Sequence, residues 1–127
     1  MQELLDVLNK PYISRLTLSG GHPLESQNLE TVYQIVKTVK EKFPNKKIWL
    51  YTGYTWEEIL NNDRENKRAN TNSISPLDIV RCCNILVDGK YEKDKRDISL
   101  AFAGSSNQRV IDIQKSFKQN KVVLFCD

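Results

Sequence analysis

Apolar and polar positions repeat along this chain with two periods, one typical of helices and one typical of buried strands. The clearest helical pattern runs from residue 29 to 43, behind a Ser26 or Asn28 cap, and Pro44-Asn45 ends it. Shorter helices are predicted at 2 to 9, from Trp56 behind a Thr55/Glu58 capping box, at 76 to 81, and after residue 113.

Strands are predicted at 13 to 18, 48 to 51, 85 to 87, 110 to 113 and 122 to 125. The second and third are near-continuous apolar runs, which are typical of strands buried on both faces of a parallel sheet. Alternation of strands and helices predicts an α/β domain with a mainly parallel sheet. The stretch from 61 to 72 is polar at eleven of its twelve positions and predicts a mobile surface loop, extending to residue 75.

Three predicted strands end in small or polar residues: Gly20-Gly21-His22, Thr52-Gly53-Tyr54 and Asp88-Gly89-Lys90. In α/β folds, ligands bind at the carboxyl ends of parallel strands. We therefore expect the three turns to line one crevice.

Composition narrows the function classes. Nineteen basic and sixteen acidic residues leave a net charge of +3, which does not indicate a nucleic-acid or membrane partner. No stretch approaches the roughly 20 apolar residues of a membrane span, so a cytoplasmic protein is expected. Cys82, Cys83 and Cys126 have no disulfide or metal-knuckle spacing, and we expect them to be buried thiols rather than metal ligands.

Taken singly, the candidate chemical groups are ambiguous. The glycine turns match neither a P-loop nor a G-x-G-x-x-G fingerprint. Asp88 could contact a ligand hydroxyl, Lys90 could meet a ligand carboxylate or pair with Asp88, and His22 could serve in catalysis or lie exposed. No residue is assigned a catalytic role.

The order of four motifs is more specific than any one of them. They are LTLSGGHPLESQN at 16 to 28, FPNKKIWLYTGYTWEEI at 43 to 59, ILVDGKYEKD at 85 to 94 and GSSNQRVID at 104 to 112. From about Leu4 to Asp112, the chain resembles the anaerobic ribonucleoside-triphosphate reductase activating proteins, small radical S-adenosylmethionine (SAM) activases.

The resemblance implies an incomplete α/β barrel in which a [4Fe-4S] cluster cleaves SAM reductively, and the reductase receives a glycyl radical. It further implies SAM contacts by Gly20, Gly21, His22, Thr52, Gly53, Asp88 and Lys90. A segment facing the reductase would contain Ser105, Ser106, Asn107, Gln108 and Arg109.

The chain departs from the family pattern in three places. It contains no C-x-x-x-C-x-x-C loop, His22 replaces a usual acid, and Ala103 replaces a usual arginine. Residues 1 to 127 are therefore interpreted as a single domain that begins inside the fold, with the first strand and the cluster loop absent, and we expect the chain to be inactive alone.

Two alternatives remain open. One is a non-catalytic protein that docks on the reductase or forms a homodimer. The other is an unrelated small α/β nucleotide-binding enzyme that uses Asp88 and His22.

Overall fold

The computed structural model describes residues 6, 10, 15 to 18, 28 to 68, 74 to 100 and 102 to 125, with the backbone alone at 66 to 68. The helix predicted at 2 to 9, apart from residue 6, and the turn at 20 to 22 lie outside the described residues. No described helix has the length and apolar character needed to span a membrane.

The described strands form one mixed sheet with the spatial order β1-β2-β3-β4. Their bounds are β1 Arg15–Leu18, β2 Lys47–Tyr51, β3 Ile85–Asp88 and β4 Arg109–Asp112. The β1–β2 and β2–β3 pairs are parallel, and β4 runs antiparallel to β3. The prediction of an α/β fold with a mainly parallel sheet is confirmed.

Four helices are described, and three of them connect the strands in sequence. Their bounds are α1 Leu29–Lys42, α2 Trp56–Arg68, α3 Pro76–Arg81 and α4 Ile113–Gln119. A short 3-10 turn at Lys93–Lys95 lies between β3 and β4. The predicted final strand is reduced to a bridge between Ile111 and Leu124, supported by the Phe125 N–H, which donates to the Val110 carbonyl at 2.8 Å.

The prediction of a loop from 61 to 75 is wrong for residues 61 to 68, because α2 continues to Arg68. The capping box forms as expected: the Glu58 N–H donates to Thr55 Oγ1 at 3.1 Å, and the Thr55 N–H donates to Glu58 Oε1 at 3.0 Å. Trp56 and Ile59 anchor the first turn of α2 in the core, and a helix that has started gains one hydrogen bond per added residue, so the polar positions after them continue it. Residues 69 to 73 lie outside the described part of the chain.

Side chains along each strand alternate between the two faces of the sheet. The face toward the helices contains the larger core, with Ile48, Leu50, Leu86 and Ile111 fully buried or nearly so. The opposite face holds a smaller cluster around Trp49, Ile85 and Val87. The helix-covered face thus positions the strands. The carboxyl ends of β2 and β3, together with the start of the antiparallel β4, form the edge described next.

Candidate functional site

The ends of β2 and β3 meet at one edge of the sheet. The Gly89 N–H donates to the Tyr54 carbonyl at 3.0 Å, which joins the two strand-end turns directly. Gly53 also lies beside Lys90: a Cβ added to this glycine would stand 3.5 Å from Lys90 Cγ. Two of the three turns expected in one crevice are therefore in contact. Gly20, Gly21 and His22, in the remaining turn, lie outside the described residues.

A cleft of about 550 Å³ opens at this edge. Its walls are Gly53, Thr55, Glu57, Glu58, Asp88, Gly89, Lys90, Glu92, Asn107 and Arg109. Five of the predicted site residues are among them: Gly53, Asp88, Lys90, Asn107 and Arg109. Thr52 is instead buried beneath the turn, where its Oγ1 accepts the Tyr54 N–H at 3.2 Å.

Three acidic residues of the cleft, Glu57, Glu58 and Glu92, were absent from the predicted site. The T-x-x-E capping box was a usable signal for two of them, because it starts α2 directly after the β2 turn and so places Glu57 and Glu58 at the same edge. No sequence pattern indicated Glu92.

Asp88 is an internal anchor of this edge and is only 1% exposed. Its Oδ2 accepts the Trp56 N–H at 2.8 Å, and its Oδ1 accepts the Arg109 side-chain Nε–H at 3.1 Å and backbone N–H at 3.3 Å. Arg109 Nη2 lies 2.5 Å from Oδ2. A carboxylate offers about four acceptor positions. Protein donors occupy all of them, so a ligand would have to displace one of these donors to reach Asp88. The contact between Asp88 and a ligand stays a prediction.

Arg109 extends the anchor outward to Glu57, to which Nη1 and Nη2 donate at 3.1 and 2.7 Å. The hydrogen bonds that Arg109 donates to Asp88 and Glu57 raise the pKa of Arg109, and the hydrogen bond from Arg109 lowers the pKa of Glu57. The guanidinium therefore ties β4 to the end of β3 and to the start of α2. The expected contact of Arg109 with the reductase stays a prediction.

The segment from 104 to 108 borders the cleft and is joined to the 89–90 turn by side-chain hydrogen bonds. Gln108 Nε2 donates to the Gly89 carbonyl at 3.0 Å, and Asn107 Nδ2 donates to the Lys90 carbonyl at 2.8 Å. Ser105 is buried, and its hydroxyl donates to Asn107 Oδ1 at 2.6 Å. Ser106 is the residue of this group with an exposed side chain.

The described cysteines do not fit an iron-sulfur cluster. The Cys83 thiol is fully buried and donates to the Ile79 carbonyl at 3.3 Å, and the half-buried Cys82 thiol donates to the Asp78 carbonyl at 3.5 Å. Burial raises the pKa of both thiols, whereas cluster ligands are thiolates. Among the described ranges, no group of three His, Cys, Asp or Glu residues could hold a metal ion. Cys126 lies outside them.

Comparison with known proteins gives consistent matches. The model of the 4Fe-4S single cluster domain family matches residues 1 to 111. The chain is 39% identical over 110 residues to the anaerobic ribonucleoside-triphosphate reductase-activating protein of Enterobacteria phage T4, a match that covers 87% of this chain and 60% of the relative. It is 34% identical over 110 residues to the protein of that name from Escherichia coli K12, covering 85% of this chain and 63% of the relative.

The relative of the same name from Pasteurella multocida is 39% identical over 108 residues, which are 84% of this chain and 61% of the relative. The chain therefore spans about 60% of the length of these relatives. No solved structure matches.

Proposed function

The chain belongs to the family of 4Fe-4S single cluster domains represented by anaerobic ribonucleoside-triphosphate reductase-activating proteins, and from this we propose that it takes part in activating that reductase. Its described residues contribute a binding edge for SAM. The observation that carries this proposal is the hydrogen bond from the Gly89 N–H to the Tyr54 carbonyl, which joins the Gly53 and Lys90 turns at the carboxyl ends of parallel strands.

Charge in the cleft supports SAM as the ligand. Four carboxylates, those of Glu57, Glu58, Asp88 and Glu92, and two cations, Lys90 and Arg109, line the cleft. Arg109 pairs with Asp88 and Glu57, and the whole set carries an excess of negative charge. SAM carries a sulfonium, an ammonium and a carboxylate, so its net charge is positive and opposite to that of the cleft. We propose that Lys90 binds the carboxylate while the acidic wall attracts the positive groups.

The remaining predicted site residues take places in the same proposal. Gly20, Gly21 and His22 follow β1, whose last residue pairs with Leu50 of β2, and we propose that their turn approaches the amino group of SAM. Thr52 holds the Gly53 turn from below, and Asp88 holds the cleft wall. We also propose that the four strands are part of an incomplete radical-SAM barrel, which their parallel β1-β2-β3 order supports.

Reductive cleavage of SAM and formation of the glycyl radical are proposed for the activating system as a whole. The described residues do not fit the cluster, and we therefore assign them SAM binding and docking but no electron transfer. Anaerobic incubation of the 127-residue chain with iron and sulfide tests this assignment. We expect no cluster absorbance, and one [4Fe-4S] per chain would contradict it.

Isothermal titration calorimetry tests the SAM site. We expect Lys90→Ala to weaken SAM binding about tenfold, because a hydrogen bond between charged groups contributes about 1.5 kcal/mol or more. Lys93→Ala is the matched control, since Lys93 is exposed on the neighbouring 3-10 turn and does not line the cleft. Equal affinities for the two variants would remove Lys90 from the site.

An anaerobic pull-down with the reductase tests docking. Reductase binding together with SAM binding supports the proposal, whereas reductase binding without SAM binding supports the non-catalytic docking protein. Sedimentation equilibrium measures self-association, which distinguishes the homodimer. If neither ligand binds, a nucleotide screen of the Asp88→Asn and His22→Ala variants tests the unrelated enzyme.

A further inference from the structure

Two consecutive side-chain amides hold two consecutive carbonyl groups at the cleft. Gln108 Nε2 binds the Gly89 carbonyl at 3.0 Å, and Asn107 Nδ2 binds the Lys90 carbonyl at 2.8 Å. Gly89 has a φ of +91°, a backbone conformation that side-chain-bearing residues rarely adopt. The turn therefore depends on glycine, and its path after Gly89 is set by the two amides.

The opposite ends of both amides are also engaged. Gln108 Oε1 accepts the Gly104 N–H at 2.8 Å and the Ser105 N–H at 3.2 Å. Asn107 Oδ1 accepts the Ser105 hydroxyl at 2.6 Å, and the same hydroxyl oxygen accepts the Glu92 N–H at 3.2 Å. Each amide thus presents its oxygen to the 104–105 segment and its nitrogen to the turn, so neither can rotate without losing hydrogen bonds.

This arrangement engages the oxygen and one N–H of each amide within the molecule, and through these bonds it acts on Lys90. The carbonyl of Lys90 is fixed by Asn107, and the peptide before it is fixed by Gln108. Its Cγ lies beside Gly53, 3.5 Å from the point where a Cβ on that glycine would stand. Lys90 is exposed, so these contacts of its backbone and stem are what direct its side chain across Gly53.

We infer that Asn107 and Gln108 are positioning residues that set the direction of Lys90 in the cleft, and that they are not contacts to the reductase. The inference rests on the proposed SAM-binding function. It replaces the partner-facing role expected for these two residues with an intramolecular one.

The test uses the nearly isosteric variants Gln108→Glu and Asn107→Asp. Each places a carboxylate oxygen where an N–H₂ group now meets a carbonyl, which turns attraction into repulsion. Ser106→Ala is the control, because Ser106 is exposed in the same segment. Circular dichroism and thermal melting identify the variants that are folded. If Gln108→Glu unfolds the protein, Asn107→Asp takes its place in the binding measurements.

Affinities for SAM and for 5′-methylthioadenosine, a neutral thioether that lacks the whole amino-acid group of SAM including its carboxylate, are then compared by calorimetry. We expect a loss of about tenfold for SAM and less than about twofold for 5′-methylthioadenosine. In the Lys90→Ala background, Gln108→Glu is expected to add no further loss, because both changes act through one side chain. Equal losses for both ligands, or additive losses in the double variant, would overturn the positioning role.

Two further measurements separate this inference from the proposed function. Reductase affinity is expected to be unchanged in Asn107→Asp and Gln108→Glu, and its loss with SAM affinity intact would restore the partner-facing role. If the unmodified chain binds no SAM, the proposed function fails, and the inference is judged by NMR. Amide signals of Gly53 and Lys90 should then shift in Gln108→Glu and stay in place in Ser106→Ala; unshifted signals would refute it.

Discussion

The two faces of the sheet are built in different ways. On one face, the helices cover strand residues that are completely buried, such as Leu50 and Leu86. On the other face, Trp49 is covered by single aromatic rings from irregular segments: Phe102 at 4.7 Å and Phe125 at 5.4 Å between ring centroids. Arg15 adds a guanidinium 4.6 Å from the Trp49 ring.

The difference separates global from local stability. The helix-covered face supports every strand, whereas the aromatic face supports the segment that leads into the cleft wall at 104 to 109. Tyr51 Oη donates to the Phe102 carbonyl at 2.7 Å, which ties that segment to β2. Loss of packing on the first face should unfold the protein, and loss on the second should release the cleft wall first.

The largest effect is expected for Leu86→Ala on the helix-covered face. A fully buried leucine truncated to alanine costs about 2 to 5 kcal/mol, because transfer energy is lost and a cavity remains. Leu124→Ala is the control, since Leu124 is 59% exposed and should lose less than about 1 kcal/mol. Urea denaturation measures both, and similar costs would remove the distinction between buried and exposed packing.

Asp88→Asn is expected to rank second, at about 2 to 3 kcal/mol. The change leaves the half-buried Arg109 and the Trp56 N–H with weaker acceptors, and breaking buried charge pairs is costly. Asp94→Asn, at an exposed position, should change the free energy of unfolding by less than about 0.5 kcal/mol. An equally small loss for Asp88→Asn would mean that the anchor does not stabilise the sheet edge.

Phe102→Ala tests the aromatic face directly. Phe102 is half-buried, so we expect a cost of about 2 kcal/mol, below the range for fully buried phenylalanines. Hydrogen exchange should accelerate at residues 104 to 109 while amides of α1 keep their protection. Uniform acceleration across both regions would show that the two faces unfold together.

Tyr51→Phe should have a smaller effect on the same face, about 1 kcal/mol, because it removes one hydrogen bond and retains the ring. Burial raises the pKa of Tyr51, and the nearby Arg15 partly opposes this increase. Tyr33→Phe is a control on the helix-covered side, where the cost should be lower. Thermal unfolding compares the two, and the reverse ranking would contradict the importance of the contact with Phe102.

The smallest effect concerns the pH dependence of the Glu57–Arg109 pair. Because the pKa of folded Glu57 is below its ordinary value of 4.5, the pair stabilises the protein above that pH and the contribution is lost as pH falls through the lowered pKa. Glu57 is 62% exposed, so the contribution should stay below about 1 kcal/mol. Glu57→Gln should flatten the stability profile in this acid range, and an unchanged slope would contradict the pairing.

Sequence patterns predicted the helix-covered face better than the aromatic face. The α1 pattern is periodic and the β2 pattern is a continuous apolar run, so in each element every buried residue reinforces the same prediction. Phe102 and Phe125 are isolated in irregular segments, where no period indicates which ring they meet. The wrong prediction of a loop at 61 to 68 has a related cause. The polar composition of this stretch indicates that it cannot form a core, but it does not indicate whether a helix that starts before it continues through it.

Strand order and local motifs were enough to predict the α/β class, the family and the approach of the turns at Gly53 and Lys90. Tertiary structure alone decided what each polar group binds. Asp88 meets the start of α2, Arg109 reaches Glu57 from 52 residues away, and the 107–108 amides hold the 89–90 turn. Donor and acceptor pairing depends on three-dimensional distance, which no local spacing encodes.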